Sequence, residues 1–584
     1  MRVWSLLVAL IICAAPSLPS HASQNNEAQA LHALFDADWE DYLAHNPFMA
    51  SYLGDKRYNS QWGDASVAAE QAKTRRLEKS LATLQKIDRA KLPAKDKINY
   101  DLYQRKLKEE IAAQAFERYL APMSQRGGIQ SIQNLTQYLR LSTEQDYRDW
   151  LARLAKLDTQ FATQMALMRE GMKKGIMPPK IVMSRIPKQL ALHLVVKPED
   201  SPFYAPFAKI NGELPKRTQA QLQKDAKKVI RDVVLPAYQA FNTFFVEQYL
   251  PAARDTVGIW DTPNGRAYYT YLAQSFTTTN MTPDAIHALG KQEVARIKSE
   301  MMKIIKEVKF KGSFEEFLTF LRTDPQFYYD NPEDLFNAYL ATSKRIDPEL
   351  VKLFGHLPRM PYGLRPIPEA QAPDTTTAYY SSPAADGSRA GYYYVNLYQP
   401  ETRPKYEIEV LSVHEAVPGH HLQIAIQQEL GDLPNFRKYD GFTAFTEGWG
   451  LYSESLGYEL GLYQDPYSRF GQLTYEMWRA VRLVVDTGIH YKQWTRQQAI
   501  DYFKANAAKS EQDIVNEVDR YIIMPGQALA YKIGQLKISE LRAKATRKLG
   551  DKFDIRAFHD LVLGSGAVPL DVLETMVDEW IAQH

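Results

Sequence analysis

The sequence predicts a mainly α-helical protein with one small β element, and three observations carry that prediction. Long stretches repeat apolar residues at three- and four-residue spacing with few breakers. One aromatic and β-branched tract, Thr375–Tyr380 followed by Gly391–Tyr398, interrupts them. The lone cysteine, Cys13, sits in an apolar N-terminal stretch, so the chain beyond it folds by packing without disulfides, thiolate ligands or a cysteine nucleophile. A hydrophobic share of 45% suits a buried core, and 71 basic against 69 acidic residues argue against nucleic acid or an anionic membrane as partner.

Met1–Ala22 reads as a secretory signal, with Arg2 as its positive start, Trp4–Ala15 as its apolar core and Ser20-His21-Ala22 before the cut. The core is too short to span a bilayer, and Leu10-Ile11-Ile12 lacks the small residues that precede a lipidated cysteine. The expected mature chain, 23–584, is secreted or periplasmic, with no stable membrane insertion once the signal is removed. It forms one body, mostly helical to 356 and carrying the chemistry from 357 to 584.

Leu31, Leu34, Phe35 and Trp39, then Leu77, Leu81, Leu84 and Ile87, mark packed helices between Glu27 and about Leu120, with a corner at Tyr52–Asp55. Pro122–Gly128 is a glycine-containing break with no assignable chemistry. One long helix is expected from Thr143 to Glu170, stopping at Gly171 and Gly175. Another spans Arg217–Val246, bent or split by Pro236. Tyr268, Tyr269 and Tyr271 are expected to pack in the core. Thr282-Pro283-Asp284 opens a helix running to Val308, and Ser313 with Glu316 forms a capping box. Pro-rich Leu357–Pro373 precedes the β tract, which reads as a hairpin turning near Asp386-Gly387. Helices over Arg556–Leu563 and Leu570–Ile581 close the chain.

The chemistry concentrates in Leu411-Ser-Val-His414-Glu415-Ala-Val-Pro418-Gly419-His420-His421, which holds three of the chain's twelve histidines. Two neutral imidazoles can hold a zinc ion while Glu415 takes a proton from a water. On an unbroken helix His414 and His421 would stand about 10 Å apart, too far for one ion, so Pro418 and Gly419 must bend the chain. His414 and one of His420 and His421 are therefore candidate ligands. Glu447, in Thr446-Glu447-Gly-Trp-Gly450, is the candidate third ligand. Glu454, two turns on, suits a hydrogen bond to a ligand histidine. Arg482, Asp486 and His490 recur every four residues on one helical face. Arg520 has the forked donors for a substrate carboxylate, or pairs with Asp519 or another acid. Asn396, at the end of the hairpin, is a further candidate substrate contact.

These motifs resemble the zincin metallopeptidases whose third ligand is a glutamate on a second helix, such as angiotensin-converting enzyme, thimet oligopeptidase and the thermostable carboxypeptidases. In these a Leu and a second Glu follow the ligand, as Leu451 and Glu454 follow Glu447. The run from His414 to His421 with Thr446–Gly450 is similar to the bacterial family called domain of unknown function 885 over most of the mature chain. Two extra residues separate Glu415 from the Gly-His pair, and aligning Gly419-His420 with the peptidases' Gly-His makes His420 the second ligand. His421 then lies beside the metal or faces substrate. Tyr531-Lys-Ile-Gly534-Gln-Leu536 resembles the carboxypeptidase segment that supplies a transition-state phenol, a role carried to Tyr531. The resemblance further implies that His490, oriented by Asp486, faces the oxyanion.

The expectation is a zincin-like helical metallopeptidase with a small β-sheet beside a central cleft: an exported, Zn2+-dependent hydrolase of peptide substrates with Glu415 as general base. A hydrolase of non-peptide amides shares every residue named. A catalytically silent peptide-binding protein on the same fold, and a di-metal protein using Glu415, Glu447 and Glu454, are the other readings.

Overall fold

A computed structural model describes residues 21–584 except 211, 370, 371, 385, 386 and 388, and excludes the side chains of 21–25 and 374. The signal reading on residues 1–20 lies outside the described residues, as does Asp386 of the hairpin turn. From His21 the chain is helical, and its first helix runs to His45.

The helices begin where side chains can satisfy their first N–H groups. Thr143 and Ser313 both close capping boxes, and Thr282 accepts from the Ala285 N–H ahead of the Pro283–Glu307 helix; removing such a cap costs about 1 kcal/mol. The long helix expected from Thr143 is two, Glu144–Leu154 and Leu157–Lys174, broken at Ala155-Lys156. Pro236 neither splits nor ends its helix. The Lys216–Val229 helix widens into a π turn at Ile230–Val234, resumes over Leu235–Phe244, and widens again at Phe245–Tyr249 before Pro251. A π turn shifts the hydrogen-bond ladder by one residue and accommodates the N–H that each proline lacks.

The hairpin is present, with Ala378–Ser381 (β2) antiparallel to Gly391–Val395 (β3). A third strand, Tyr362–Pro366 (β1), is parallel to β3 and comes from the proline-rich segment that sequence reading left without a strand. The order β1-β3-β2 makes β2 an edge. One hydrophobic cluster contains residues from Leu102 to Val577, so the helical part and the part beyond 357 share a core. A smaller cluster, with Leu31, Phe35, Leu84 and Tyr103, packs the first helices against Phe436.

Candidate metal centre

The first histidine stands in the last turn of a helix, Ile408–Glu415, and the second opens the next, His420–Glu429. Between them the ladder runs wide of helical rungs: the Gly419 N–H reaches Val413 O at 2.9 Å and the His421 N–H reaches Ala416 O at 3.0 Å. The Val417–Pro418 bond is cis. Gly419 is required, because a Cβ there would lie 1.9 Å from the His414 carbonyl oxygen. This loop returns His420 to the side of His414, with ring centroids 4.7 Å apart at 84°.

Glu447 is the fifth residue of the Thr443–Leu456 helix, and its neighbours explain the motif. Gly448 faces Gly534 of the Ala530–Leu549 helix so closely that a Cβ would lie 2.5 Å from the Gly534 Cα. Trp449, wholly buried, donates its indole N–H to Pro418 O at 2.8 Å and so braces the histidine loop. A Cβ on Gly450 would meet His414 Cε1 at 2.9 Å and His420 Cε1 at 3.1 Å, so glycine here makes room for both rings.

One nitrogen from each of His414 and His420 and one Glu447 oxygen lie within 4.8 Å of one another. His420 Nε2 and Glu447 Oε2 are 3.3 Å apart, yet Oε2 lacks an aligned hydrogen-bond partner and His420 Nδ1 is also unpartnered. Nε2 and Oε2 are thus close without an aligned hydrogen bond between them. Ligands on a tetrahedron with zinc bonds of about 2.05 Å stand roughly 3.3 Å apart, so the donor types and the His420–Glu447 spacing fit Zn2+; cobalt and manganese accept the same donors. The side chains are 12% (His420) and 18% (Glu447) exposed, leaving the centre a narrow opening to solvent.

Electrostatics follow from burial and the acids. Burial, helped by the neighbouring His420, Arg479 and Arg482, holds the His414 imidazolium well below the usual range, so the ring is neutral, as a ligand must be. Its Nδ1 lies 2.8 Å from Glu454 Oε1, which leaves Nε2 as the inward lone pair. Burial pushes Glu454 up to about 8, against the pull of Arg479 at 3.4 Å. For His420 burial acts downward, but Glu447 and Glu415 outweigh it and the net shift is upward. Glu447 moves down despite burial, through His420, Tyr531 and Arg482. Burial raises Glu415, whose carboxylate takes a hydrogen bond from the Tyr380 N–H of β2.

Tyr531 reaches this centre. Its phenol hydrogen-bonds Glu447, and the Arg482 guanidinium lies over its ring at 4.3 Å. Sequence reading missed three residues beside it: Arg479, visible in the three-residue step to Arg482; Glu517, one turn before Arg520; and Tyr380, for which only the hairpin gave a signal.

Four expectations are corrected. His421 is no ligand: Tyr380 OH occupies Nδ1 at 2.8 Å and Met360 O occupies Nε2 at 2.9 Å, and burial takes the ring down to about 4. His490 does not face the centre. Its Nδ1 accepts from the Ile259 N–H at 3.0 Å and its Nε2 meets Tyr521 O at 2.9 Å, about 12 Å beyond Arg482 along the same helix. Asp486 does not orient His490; it accepts from Tyr269 OH at 2.6 Å and the Gly526 N–H at 3.0 Å, pinning the turn that precedes Tyr531. Asn396 is buried and ties Ala372 O, Thr375 O and Thr376 O together. Arg520 takes the structural alternative, a pair with another acid: its fork holds both Glu517 oxygens, at 3.0 and 2.9 Å. Glu454, held by His414 and Arg479, is a poor bridging ligand for a second metal. A cavity of about 230 Å³ opens between the Ala94–Gln114 and Gly265–Thr277 helices and the 440–443 loop, lined partly by Tyr271, but it contains none of the cluster's residues. Donor convergence, not cavity size, marks the centre.

The fold is shared with two solved structures. A protein from Colwellia psychrerythraea, provisionally described as a lipoprotein, is 30% identical at a TM-score of 0.89, covering 96% of this chain and 100% of its own. A protein of unknown function from Shewanella oneidensis, also provisionally described as a lipoprotein, is 18% identical at a TM-score of 0.72, covering 94% of this chain and 99% of its own. No curated protein matches the chain. A family model described as bacterial protein of unknown function (DUF885) matches residues 47–577, and the chain belongs to that family.

Proposed function

We propose that the protein is an exported metal-dependent hydrolase of peptide bonds. The observation that carries this reading is the convergence of His414, His420 and Glu447 within 4.8 Å, next to a half-buried Glu415 and the Tyr531 phenol. A zinc ion held by those three residues would supply Lewis-acid activation of a water and polarisation of a carbonyl. Glu415 would take the proton released from the attacking water and hand it to the leaving amine; burial, which raises its pKa, suits it to both transfers. Tyr531, neutral because burial and Glu447 raise its phenol, would donate to the developing oxyanion.

Peptide as substrate rests on β2. The pairing of Asn396 N–H with Thr377 O sets the alternation, so Tyr380, three residues on, directs its N–H away from β3 and toward Glu415. The Tyr380 carbonyl faces away from β3 as well, and an edge group of this kind can pair with an extended peptide backbone. Export is supported by the signal-like start and by the similarity to proteins provisionally described as lipoproteins. Among the described residues no helix is long and apolar enough to cross a membrane.

The test is Glu415→Gln. We expect the parent to bind one zinc per chain and to cleave peptides in a chelator-sensitive manner. The variant should keep its zinc and lose about 10²- to 10⁴-fold in kcat. Undiminished hydrolysis by Glu415→Gln would falsify the mechanism. Stoichiometric zinc without turnover of a broad peptide library would favour a binding protein instead.

A further inference from the structure

The turn Ser124–Gly127 carries Arg126 near its tip. Ser124 and Gly127 exchange backbone hydrogen bonds at 2.9 and 3.3 Å, and Ser124 Oγ accepts from the Arg126 N–H at 3.2 Å. Three glutamines fix this turn in place. Gln125 Nε2 donates to Asp519 O at 3.1 Å, Gln130 Nε2 to Ser124 O at 2.6 Å, and Gln189 Nε2 to Gln125 O at 2.8 Å. Asp519 immediately precedes Arg520, so the first of these bonds sets Arg126 beside the charged network behind Tyr531.

That network has too little negative charge. Arg520 holds both oxygens of Glu517, and Arg482 shares one of them at 2.9 Å. The charges that act on Arg126 include those of Arg520, Glu517, Tyr531 and Arg482. The one carboxylate of this set is already held by two other guanidinium groups. Arg126 is exposed, whereas Arg482, Arg520 and Glu517 are buried. Among the described residues no carboxylate bonds to the Arg126 guanidinium. A planar fork with no acid partner, fixed by a pinned turn next to the phenol of the centre, is completed by a carboxylate from outside the chain.

We propose that Arg126 binds a carboxylate of the substrate and so selects peptides that present one near the scissile bond. This rests on the peptide-hydrolase reading for its substrate class. The carboxylate is either the C-terminus of the peptide or an acidic side chain, and Arg126 reads the same planar group in both.

The experiment uses the zinc-loaded full-length protein, with Arg126→Ala and Arg126→Lys, and peptides identical except for a C-terminal acid or amide. A second amidated pair ends in Asp or Asn. Activity is read as kcat/KM, and binding as fluorescence anisotropy of labelled peptides on the Glu415→Gln background. The parent is expected to favour the carboxylate-bearing member of at least one pair by about 10- to 100-fold. Arg126→Ala should erase that preference, Arg126→Lys should restore part of it, and zinc content and Tm should stay at the parent's values. The pair that responds identifies the source: a terminal or a side-chain carboxylate. A preference that survives Arg126→Ala, or no preference in the parent for either pair, overturns the assignment and leaves the hydrolase reading intact. Binding that depends on Arg126 without turnover by the parent upholds the carboxylate site and overturns the hydrolase reading; neither binding nor turnover overturns both.

Discussion

The helix Pro466–His490 runs past two buried clusters of histidine and acid, and the contrast between them separates a site from a scaffold. Near His490 every ring nitrogen and the Asp486 carboxylate have protein partners at 2.6–3.0 Å. Around His414 and His420, by contrast, one His420 nitrogen and one oxygen each of Glu447 and Glu454 are buried without a hydrogen-bond partner. A buried polar group left unpaired costs about 1–3 kcal/mol, and Glu447 Oε2 lies 3.3 Å from His420 Nε2 without an aligned hydrogen bond. The first cluster needs nothing further. The second leaves an acid unpaired beside an imidazole, which supports the proposed metal site.

The contrast breaks most sharply on zinc stoichiometry. His414→Ala, His420→Ala and Glu447→Ala should each abolish stoichiometric zinc, whereas His421→Ala and His490→Ala should retain one zinc per chain; metal analysis after dialysis reads this directly. If His421→Ala loses zinc while His420→Ala keeps it, the ligand set is wrong. Next comes Tyr531→Phe, which keeps the ring under Arg482 and removes only the hydroxyl. It should lower kcat by about 10²- to 10³-fold with zinc retained, measured under substrate saturation. Glu454→Gln loosens the grip on His414 without touching a donor, and zinc affinity in a competition titration should fall about 10- to 100-fold. An unchanged affinity would make Glu454 purely structural.

The smallest effect tests the scaffold cluster. Burial takes His490 down to about 3, from an ordinary value of 6.5. Its folded pKa is depressed, so its contribution to stability is complete above about pH 6.5 and is lost as pH falls toward 3, where the unfolded chain takes up a proton that the folded ring refuses. His490→Gln should cost about 1–3 kcal/mol at neutral pH, and the Tm gap between parent and variant should narrow as pH falls from about 6.5 toward 4. A gap that stays constant would show that the ring's burial is not what sets its titration.

Much of the candidate centre was legible because its signals are local. His414, Glu415 and the Pro418-Gly419 break lie within six residues, and the excursion they demand follows from the rise per residue of a helix. Caps at Thr282 and Ser313 were readable for the same reason: each is closed by a partner three residues away. The failures share the opposite cause. Arg482, Asp486 and His490 do share a helical face, yet spacing gives no information on what opposes that face, and here it is Ile259, Tyr269 and the Tyr521 backbone. Asn396 failed likewise, because its partners lie on another segment. Strand β1 was hidden by its prolines, whose missing N–H groups obscure a pairing that only β3 could supply.

By itself the sequence determined the helical class, the hairpin, the caps and the residue types a metal centre needs, since all of these are set by interactions over a few residues. The tertiary structure decided which histidine of the His420-His421 pair turns inward, which acids are paired away, and where charge is left over. Those outcomes depend on helices brought together from distant parts of the chain, at the Gly448–Gly534 crossing and the Trp449–Pro418 brace, whose partners no local pattern encodes.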